Sequence, residues 1–547
     1  MSGYTRRNFL TTAAAAVGAS MLALDGKRVF AEDAASTAAR YRRYNVTSPE
    51  GRQMLRSYAR GVSAMLRLPA NHPQNWFRNA FIHMMDCPHG NWWFYVWHRG
   101  YIGYFEQTIR ALSNDPQFAL PYWDWTQLPE IPQDMFEGVL TPTDAAYQPY
   151  TGNLARFTAF IQPALQAYWN TLSSPQREQL KLRGYSTFDQ LWNDVTGYDP
   201  SQDAGISGNM AYAITCGSRY LSRDNPKLDP KTAYDVSAPV IRAGLQPRLY
   251  NSPDITLSFT SSRTQSHVTQ PNKATQFSIL EGLPHNKVHN YIGGVGPVSP
   301  GPFGNMTNFL SPIDPIFFLH HANMDRLWDE WTRKQIALGL PSLPTGADWT
   351  AFASEPFRFY VSGSGQYVSG TAGNYVNMAT FDYDYQRPFA TDALPAQQPH
   401  DGAMRETLSI KGAASAAGAS VVVPARLIHA LLEDESRPAL VASVTVPRPQ
   451  GLSTAREFDI LVNAPADVTR VDANSPYYAG TIAFFGPAMH GMAMSHDAAF
   501  SLPLPRTLGA FANVTGENVT LNVRVVPSDV GVAPRAVPLR ALSVHAF

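Results

Sequence analysis

The sequence predicts a mainly helical domain, a helix-bundle core with long loops, followed by an all-β antiparallel sandwich. Three observations carry that expectation. Up to about Gly197, and again from Pro284 to Tyr291 and Ile316 to Ala337, apolar residues recur at helical spacing. After Tyr385 the stretch RPFATDALPAQQPHDG loses periodicity and fills with Pro, Ala, Gln and Gly. Beyond it come short runs of alternating apolar and polar residues separated by turn residues.

The first 31 residues read as a targeting segment. Thr5-Arg6-Arg7-Asn8-Phe9-Leu10 leads into the Ala-rich run Leu10 to Leu24 and then Val29-Phe30-Ala31. A twin arginine before a modest apolar stretch describes a twin-arginine export signal cleaved after Ala31. A membrane-spanning helix fits less well, because the run is short and poor in large aliphatics. The expected destination is periplasmic or secreted, with no membrane attachment after signal removal.

Residues 40–386 form the first expected domain. Met54 to Leu68 and Trp97 to Leu112 are its clearest helices, and residues 198 to 275, rich in Ser, Thr, Asn and Pro, read as a long surface connection. Residues 387–402 read as a linker and 403–547 as the β domain. Its expected strands are Thr407–Ile410, Ser420–Val423, Ala439–Val446, Glu457–Val462, Tyr478–Phe485, Val519–Val526 and Ala541–Val544.

Composition narrows the function. The 547 residues carry 43 basic and 43 acidic side chains, so net charge is zero and nucleic acid or an anionic membrane is not an expected partner. A homo-oligomer is compatible with these numbers. The 2 cysteines, Cys87 and Cys216, allow at most one disulfide and exclude zinc ribbons and iron–sulfur clusters. A metal site here must rest on histidine.

Of 14 histidines, seven fall in two groups. The segment FIHMMDCPHGNWWFYVWHRGYIGYFE holds His83, His89 and His98; PHNKVH holds His285 and His289, and DPIFFLHHANMDRLW holds His320 and His321. His98 leads a face continued by Ile102, Phe105, Ile109 and Leu112. His285 and His289 are four apart and project from one side of a helix. His321 shares a face with Met324 and Trp328, with Asp325 beside them. Buried imidazoles without partners are costly, and one such ring is readily satisfied by a core hydrogen bond, but two groups of them argue for metal. An all-imidazole set suits copper, zinc or nickel better than calcium or magnesium. The Glu of a zinc-protease HExxH is replaced by Asn286, and the Glu-x-x-His pairs of a di-iron bundle are missing.

Over residues 40 to 386 these motifs resemble the tyrosinase, catechol oxidase and haemocyanin family of type-3 copper proteins. His89 and His98 are nine apart within WHRGYIGYFE, and PYWDWT (Pro121 to Thr126) matches a segment that packs behind the site. The resemblance implies two copper ions, one held by His83, His89 and His98, the other by His285, His289 and His321. It makes His320 a neighbour of the ligands and Asp325 the carboxylate that orients their helix. Cys87, two before His89, resembles the Cys-x-His that forms a thioether in fungal tyrosinases and mollusc haemocyanins; a plain buried thiol is the alternative.

By the same resemblance Glu281 and Asn286 hold a water that takes the phenol proton; the plainer alternative is a surface Glu281 and a helix-capping Asn286. Phe309, in GNMTNFLSPIDP, resembles an aromatic that shields the first copper. REFDILVN, YYAGTIAFFG and VTLNVRVVP follow the strand order of the β domain that follows many relatives, and Tyr383-Asp384-Tyr385 resembles the motif that closes the catalytic domain. In latent relatives an apolar β-domain residue plugs the site; Phe485 is the candidate and Phe484 the alternative. The implied activity is oxidation of phenolic small molecules by dioxygen, either tyrosinase or, as alternatives, catechol or o-aminophenol oxidase or a haemocyanin-like carrier. The Met and His residues of AMHGMAMSH (Met489 to His496) suit Cu(I), although a loop with coincidental Met residues is the simpler reading.

Overall fold

A computed structural model of the chain describes residues 39–196, 219–271, 273–294, 304–387, 408–415, 418–433, 439–448, 456–485, 497–511, 516–528 and 537–546. The expected signal segment, Cys216, the linker beyond Arg387 and the loop Met489 to His496 lie outside these residues.

Five helices build the centre of the helical part. Helix α1 (Pro49–Arg67) starts where Ser48 accepts from the Gly51 amide and Pro49 occupies the first turn. Helix α2 (Trp76–Asp86) is capped by Asn75 and ends just before Pro88. Helix α3 (Phe94–Ser113) stops at Asn114, whose φ of 53° is left-handed. A wide π turn, Glu281–His285, contains Pro284 and opens into α4 (Asn286–Gly293). Pro284 has no amide hydrogen for an ordinary turn, so the widened turn falls where the ladder is already broken. Helix α5 (Ile316–Ala337) follows Pro315. Helices α1 and α3 meet closely at Gly61, where an added Cβ would stand 2.7 Å from the Ile109 side chain.

The expected surface connection is corrected by the structure. Residues 219–271 contain helices Pro230–Asp235 and Ala238–Leu245, and Thr260, Ser261, Ser262 and His267 are buried. Polar composition misleads here because the polar atoms are paired internally. Ser258 donates to the Thr260 carbonyl at 2.6 Å, Thr260 to the Tyr250 carbonyl at 2.7 Å, and Asn251 to the Ser261 carbonyl at 2.6 Å.

In chain order the strands are β1 (Tyr41–Arg43), β2 (Thr275–Phe277), β3 (Pro356–Val361), β4 (Tyr367–Thr371), β5 (Tyr383–Tyr385), β6 (Leu408–Lys411), β7 (Ala413–Ser415), β8 (Gly418–Pro424), β9 (Val441–Pro447), β10 (Glu457–Val462), β11 (Tyr478–Ala483), β12 (Asp497–Pro503), β13 (Asn518–Pro527) and β14 (Ala541–Ala546). The C-terminal region is a sandwich of two five-stranded sheets, ordered β11-β10-β13-β8-β7 and β2-β12-β9-β14-β6. All seven expected strands appear. β7 and β12 were not expected, and Ala425–Glu433 adds a helix. One sheet also takes in β2 from the helical part, which pairs in parallel with β12 through Thr275, Gln276 and Phe277. The two regions therefore share a sheet, four residues upstream of Glu281.

Candidate metal centre

The expected histidines converge. His83 on α2, His98 on α3, His89 in the loop between them, His285 and His289 at the start of α4 and His321 on α5 surround one buried pocket. Ring centroids within the first trio are 5.3, 5.4 and 5.5 Å apart. In the second they are 4.6, 5.1 and 5.4 Å apart. The trios touch: His98 stacks on His321 at 4.2 Å and His89 lies 5.5 Å from His285.

Backbone and side-chain acceptors orient four of these rings. Nδ1 of His83 lies 2.6 Å from the Phe309 carbonyl, of His98 2.7 Å from the Phe94 carbonyl, and of His289 2.7 Å from the Met306 carbonyl. Nδ1 of His285 lies 2.9 Å from the Asn286 side-chain oxygen. Since a carbonyl only accepts, each Nδ1 carries the hydrogen and each Nε2 keeps a lone pair. Those Nε2 atoms point inward: 3.4 Å separates His83 from His98, and 3.2 Å separates His289 from His321. Two imidazoles bound to one ion at about 2.0–2.1 Å and near-tetrahedral angles stand roughly 3.3 Å apart. Nε2 of His89 and of His285 is buried without a hydrogen-bond partner. Such orphaned acceptors are costly in an empty core and fit a metal centre. Burial also keeps the rings neutral and ready to ligate, pushing His83 and His285 down to about 3 and lowering His89, His98, His289 and His321.

His320 sits closer than a mere neighbour. Its nearest nitrogen and those of His285, His289 and His321 all lie within 4.8 Å of one another, so four imidazoles are within reach of the second centre. Both His320 nitrogens are buried without a partner, and its ring meets Trp125 edge-on at 5.6 Å. Asp325 is a buried junction between elements. It accepts from Arg99 Nε at 2.6 Å, Arg43 at 3.2 Å, Tyr385 at 2.6 Å and Tyr383, tying α5 to α3 and to the strand pair β1–β5. Burial alone would raise its carboxyl, but the two arginines outweigh this and hold it below its ordinary value.

Cys87 is buried, with Sγ 3.4 Å from Nδ1 of His89. Gly90, next to His89, has φ of 70° and sits where a Cβ would lie 2.6 Å from the Thr275 side chain. Its amide donates to Glu281 at 2.6 Å, and Ser261 donates to the other carboxylate oxygen. Glu281 is thus buried beside the pocket and not on the surface. Burial pushes its carboxyl up to about 8, the two hydrogen bonds holding it from rising further. Asn286 is no cap either: it lies inside the helical run, accepts from His285 and donates to the Ala483 carbonyl of β11 at 2.8 Å.

The Glu281 carboxyl has a measurable consequence. Between its ordinary value of 4.5 and about 8 the folded chain holds a proton there that the unfolded chain releases. Stability contributed by this group is therefore present at low pH and is lost as pH rises through that window. In the metal-free chain, Glu281→Gln is expected to raise the Tm by a few degrees at pH 8 and leave it unchanged at pH 4.5; thermal melts at both pH values check this.

The two phenylalanines at the end of β11 face opposite ways, as alternation requires. Phe485 lies 4.4 Å from His289, 4.9 Å from His89 and 5.5 Å from both His285 and Phe309, ring to ring. Phe484, the alternative, is corrected: it packs in the sandwich against Phe500 at 5.2 Å and Phe458 at 6.1 Å. Phe309 lines the same wall, 5.4 Å from His89. Three contributors have no local signal in the sequence. Lys287 forms a buried ion pair with Glu457 of β10. Asp86 accepts from Trp97 at 2.8 Å and meets His267 at 3.1 Å, joining α2 to α3. Arg183 grips the Cys87 segment.

Comparison with known proteins agrees with this geometry. Residues 70–334 match the common central domain of tyrosinase. The chain is 22% identical over 339 residues to the chloroplastic polyphenol oxidase of Spinacia oleracea, covering 57% of this chain and 42% of that protein. It is 25% identical over 293 residues to the chloroplastic (+)-larreatricin hydroxylase of Larrea tridentata, covering 51% and 38%. The chain thus spans well under half the length of these relatives. Among solved structures, a recombinantly expressed latent aurone synthase superposes with a TM-score of 0.52 at 18% identity over 93% of this chain and 90% of that one. A latent apple tyrosinase gives 0.50 at 18% identity over 94% and 98%. These neighbours share the fold through both the helical part and the β sandwich. Both imidazole clusters, suited to a binuclear copper site, lie inside the region matched to the common central domain of tyrosinase, and together the match and the clusters support the type-3 copper family of tyrosinases and polyphenol oxidases.

Proposed function

We propose that the chain is a copper-dependent phenol oxidase that hydroxylates monophenols and oxidises o-diphenols to o-quinones with dioxygen, held latent by its own β sandwich. The carrying observation is the pair of neutral imidazole trios whose Nε2 lone pairs converge on one buried pocket. His83, His89 and His98 would hold one copper and His285, His289 and His321 the other. Bound there, the coppers supply the dioxygen and electron chemistry; the protein supplies ligands, access and proton handling. The aromatic wall of Phe309 and the ring faces of the histidines orient a planar phenol. Glu281, buried beside the pocket and held by the Gly90 amide and the Ser261 hydroxyl, suits a group that receives the phenol proton through one water.

The second reading, catechol or o-aminophenol oxidation without hydroxylation, has one observation in its favour. The Asn286 amide, which the first reading assigns to that water, is given to the Ala483 carbonyl. Hydroxylation then needs the β sandwich to move away. In the sandwich-free, copper-loaded chain, Asn286→Ala is expected to lower tyrosine hydroxylation about a hundredfold while diphenol oxidation changes by less than about threefold. Equal loss of both would leave the diphenol oxidase as the better reading. A haemocyanin-like carrier would bind oxygen reversibly and form no quinone.

Latency is supported by Phe485 against His89 and His289, and by the contacts that seat it. Division into a catalytic domain over 40–386, a linker and a sandwich over 403–547 belongs to the same proposal. So does export by the twin-arginine segment, which N-terminal sequencing of the periplasmic or secreted protein tests. Among the described residues no helix is long and apolar enough to cross a membrane.

A further inference from the structure

We infer that Arg183 is a positioning residue that holds the Cys87 sulfur for covalent linkage to the His89 ring. The inference rests on the oxidase reading above and on the thioether that the Cys-x-His resemblance implies.

Arg183 lies just past the helix Ser174–Leu182, nearly a hundred residues from Cys87 in sequence, and is 2% exposed. Its guanidinium donates to the Met84 carbonyl at 2.9 Å, the Cys87 carbonyl at 2.7 Å and Cys87 Sγ at 3.2 Å. It also stands 5.5 Å from the Phe309 ring. Among the described residues no carboxylate lies within ion-pair distance of it. A buried guanidinium so placed is costly unless its donors are used, and here all three bonds go to one short segment. A rigid planar fork fixes two points at once, the main chain and the sulfur of the same residue. With carbonyl and sulfur both held, Sγ stands on the His89 side, 3.4 Å from Nδ1.

The ring carbons bonded to Nδ1 are Cγ, which carries the side chain, and Cε1, which carries a hydrogen. Linkage therefore falls on Cε1. The S–H and Cε1–H bonds break, an S–C bond forms, and the two electrons and two protons released reduce dioxygen, the oxidant of the proposed reaction, to hydrogen peroxide. His89 keeps both nitrogens, so its Nε2 stays available.

The test uses the full chain, copper-loaded under air, with trypsin digestion after denaturation and mass measurement of the peptide Asn79 to Arg99. The wild-type peptide is expected to be lighter by two hydrogens and to resist thiol alkylation. Arg183→Gln still reaches a carbonyl but cannot span carbonyl and sulfur; it is expected to link at least about tenfold more slowly with copper content unchanged. Arg183→Lys, read in the same assay should the Gln variant not fold, is expected to link at an intermediate rate. Linkage at the wild-type rate in a variant with two coppers overturns the role of Arg183 alone. A wild-type peptide with its thiol intact overturns the thioether and this inference with it, while copper binding and catechol oxidation stay as proposed.

Discussion

Phe485→Ala is expected to raise o-diphenol oxidation by the intact, copper-loaded chain at least about tenfold, the equivalent of about 1.4 kcal/mol. On the proposed function the Phe485 ring fills the space a phenol needs, its centroid 4.4 Å from that of His289 and 4.9 Å from that of His89. Its removal clears that space without touching a ligand. The sandwich is seated by more than this ring. Lys287 pairs with Glu457 out of water, Lys231 meets Asp459 at 2.6 Å, Asn290 donates to the Phe484 carbonyl at 3.2 Å, and β2 pairs with β12. A cut between residues 387 and 402 leaves all of these in place. Cutting alone should therefore activate less than cutting followed by mild detergent or acid. Glu457→Ala strands the Lys287 ammonium in the interface at a cost of about 3–5 kcal/mol and should activate the intact chain as well. Rates on a catechol for the intact, cut and substituted chains decide the matter. Equal rates for intact and trimmed protein would remove the plug.

His289→Ala is expected to cost one of two coppers and at least about a thousandfold in turnover. His289 Nε2 stands 3.2 Å from that of His321, so its loss opens one corner of the second centre while the first trio keeps its geometry. Elemental analysis reads the copper, oxygen uptake the turnover. His320 adds a specific detail: with both nitrogens unbonded and one of them within 4.8 Å of this cluster's ligand atoms, it is placed, among the described residues, to make up for a lost ligand. A variant lacking both His289 and His320 should therefore bind the second copper more weakly than His289→Ala alone. A preference for zinc or iron over copper would contradict the ligand reading at its root.

Much of the site was legible because it is written in short spacings. His285 and His289 at four residues, and His98 at the head of an apolar face, declare their direction through the helix period. His83 has no such spacing and rests mainly on resemblance; the structure brings its Nε2 to 3.4 Å from that of His98. Alternation along β11 required one of Phe484 and Phe485 to face away from the sandwich, and only the fold says which. The unread parts are long-range. Arg183 reaches Cys87 across 96 residues, Glu457 reaches Lys287 across 170 and β2 joins β12 across more than that, and no local period marks either partner. The segment from 219 to 271 was misread for a related reason: buried serines and threonines that satisfy one another look, in sequence, like a solvated loop.

The most direct measurement of the central claim is oxygen uptake by the two-copper chain on tyrosine and on dihydroxyphenylalanine, before and after limited proteolysis with detergent. Slow uptake on both is expected before treatment, and afterwards quinone formation from both, with tyrosine the slower. Two bound coppers with no uptake on either substrate after the sandwich is released would contradict the claim.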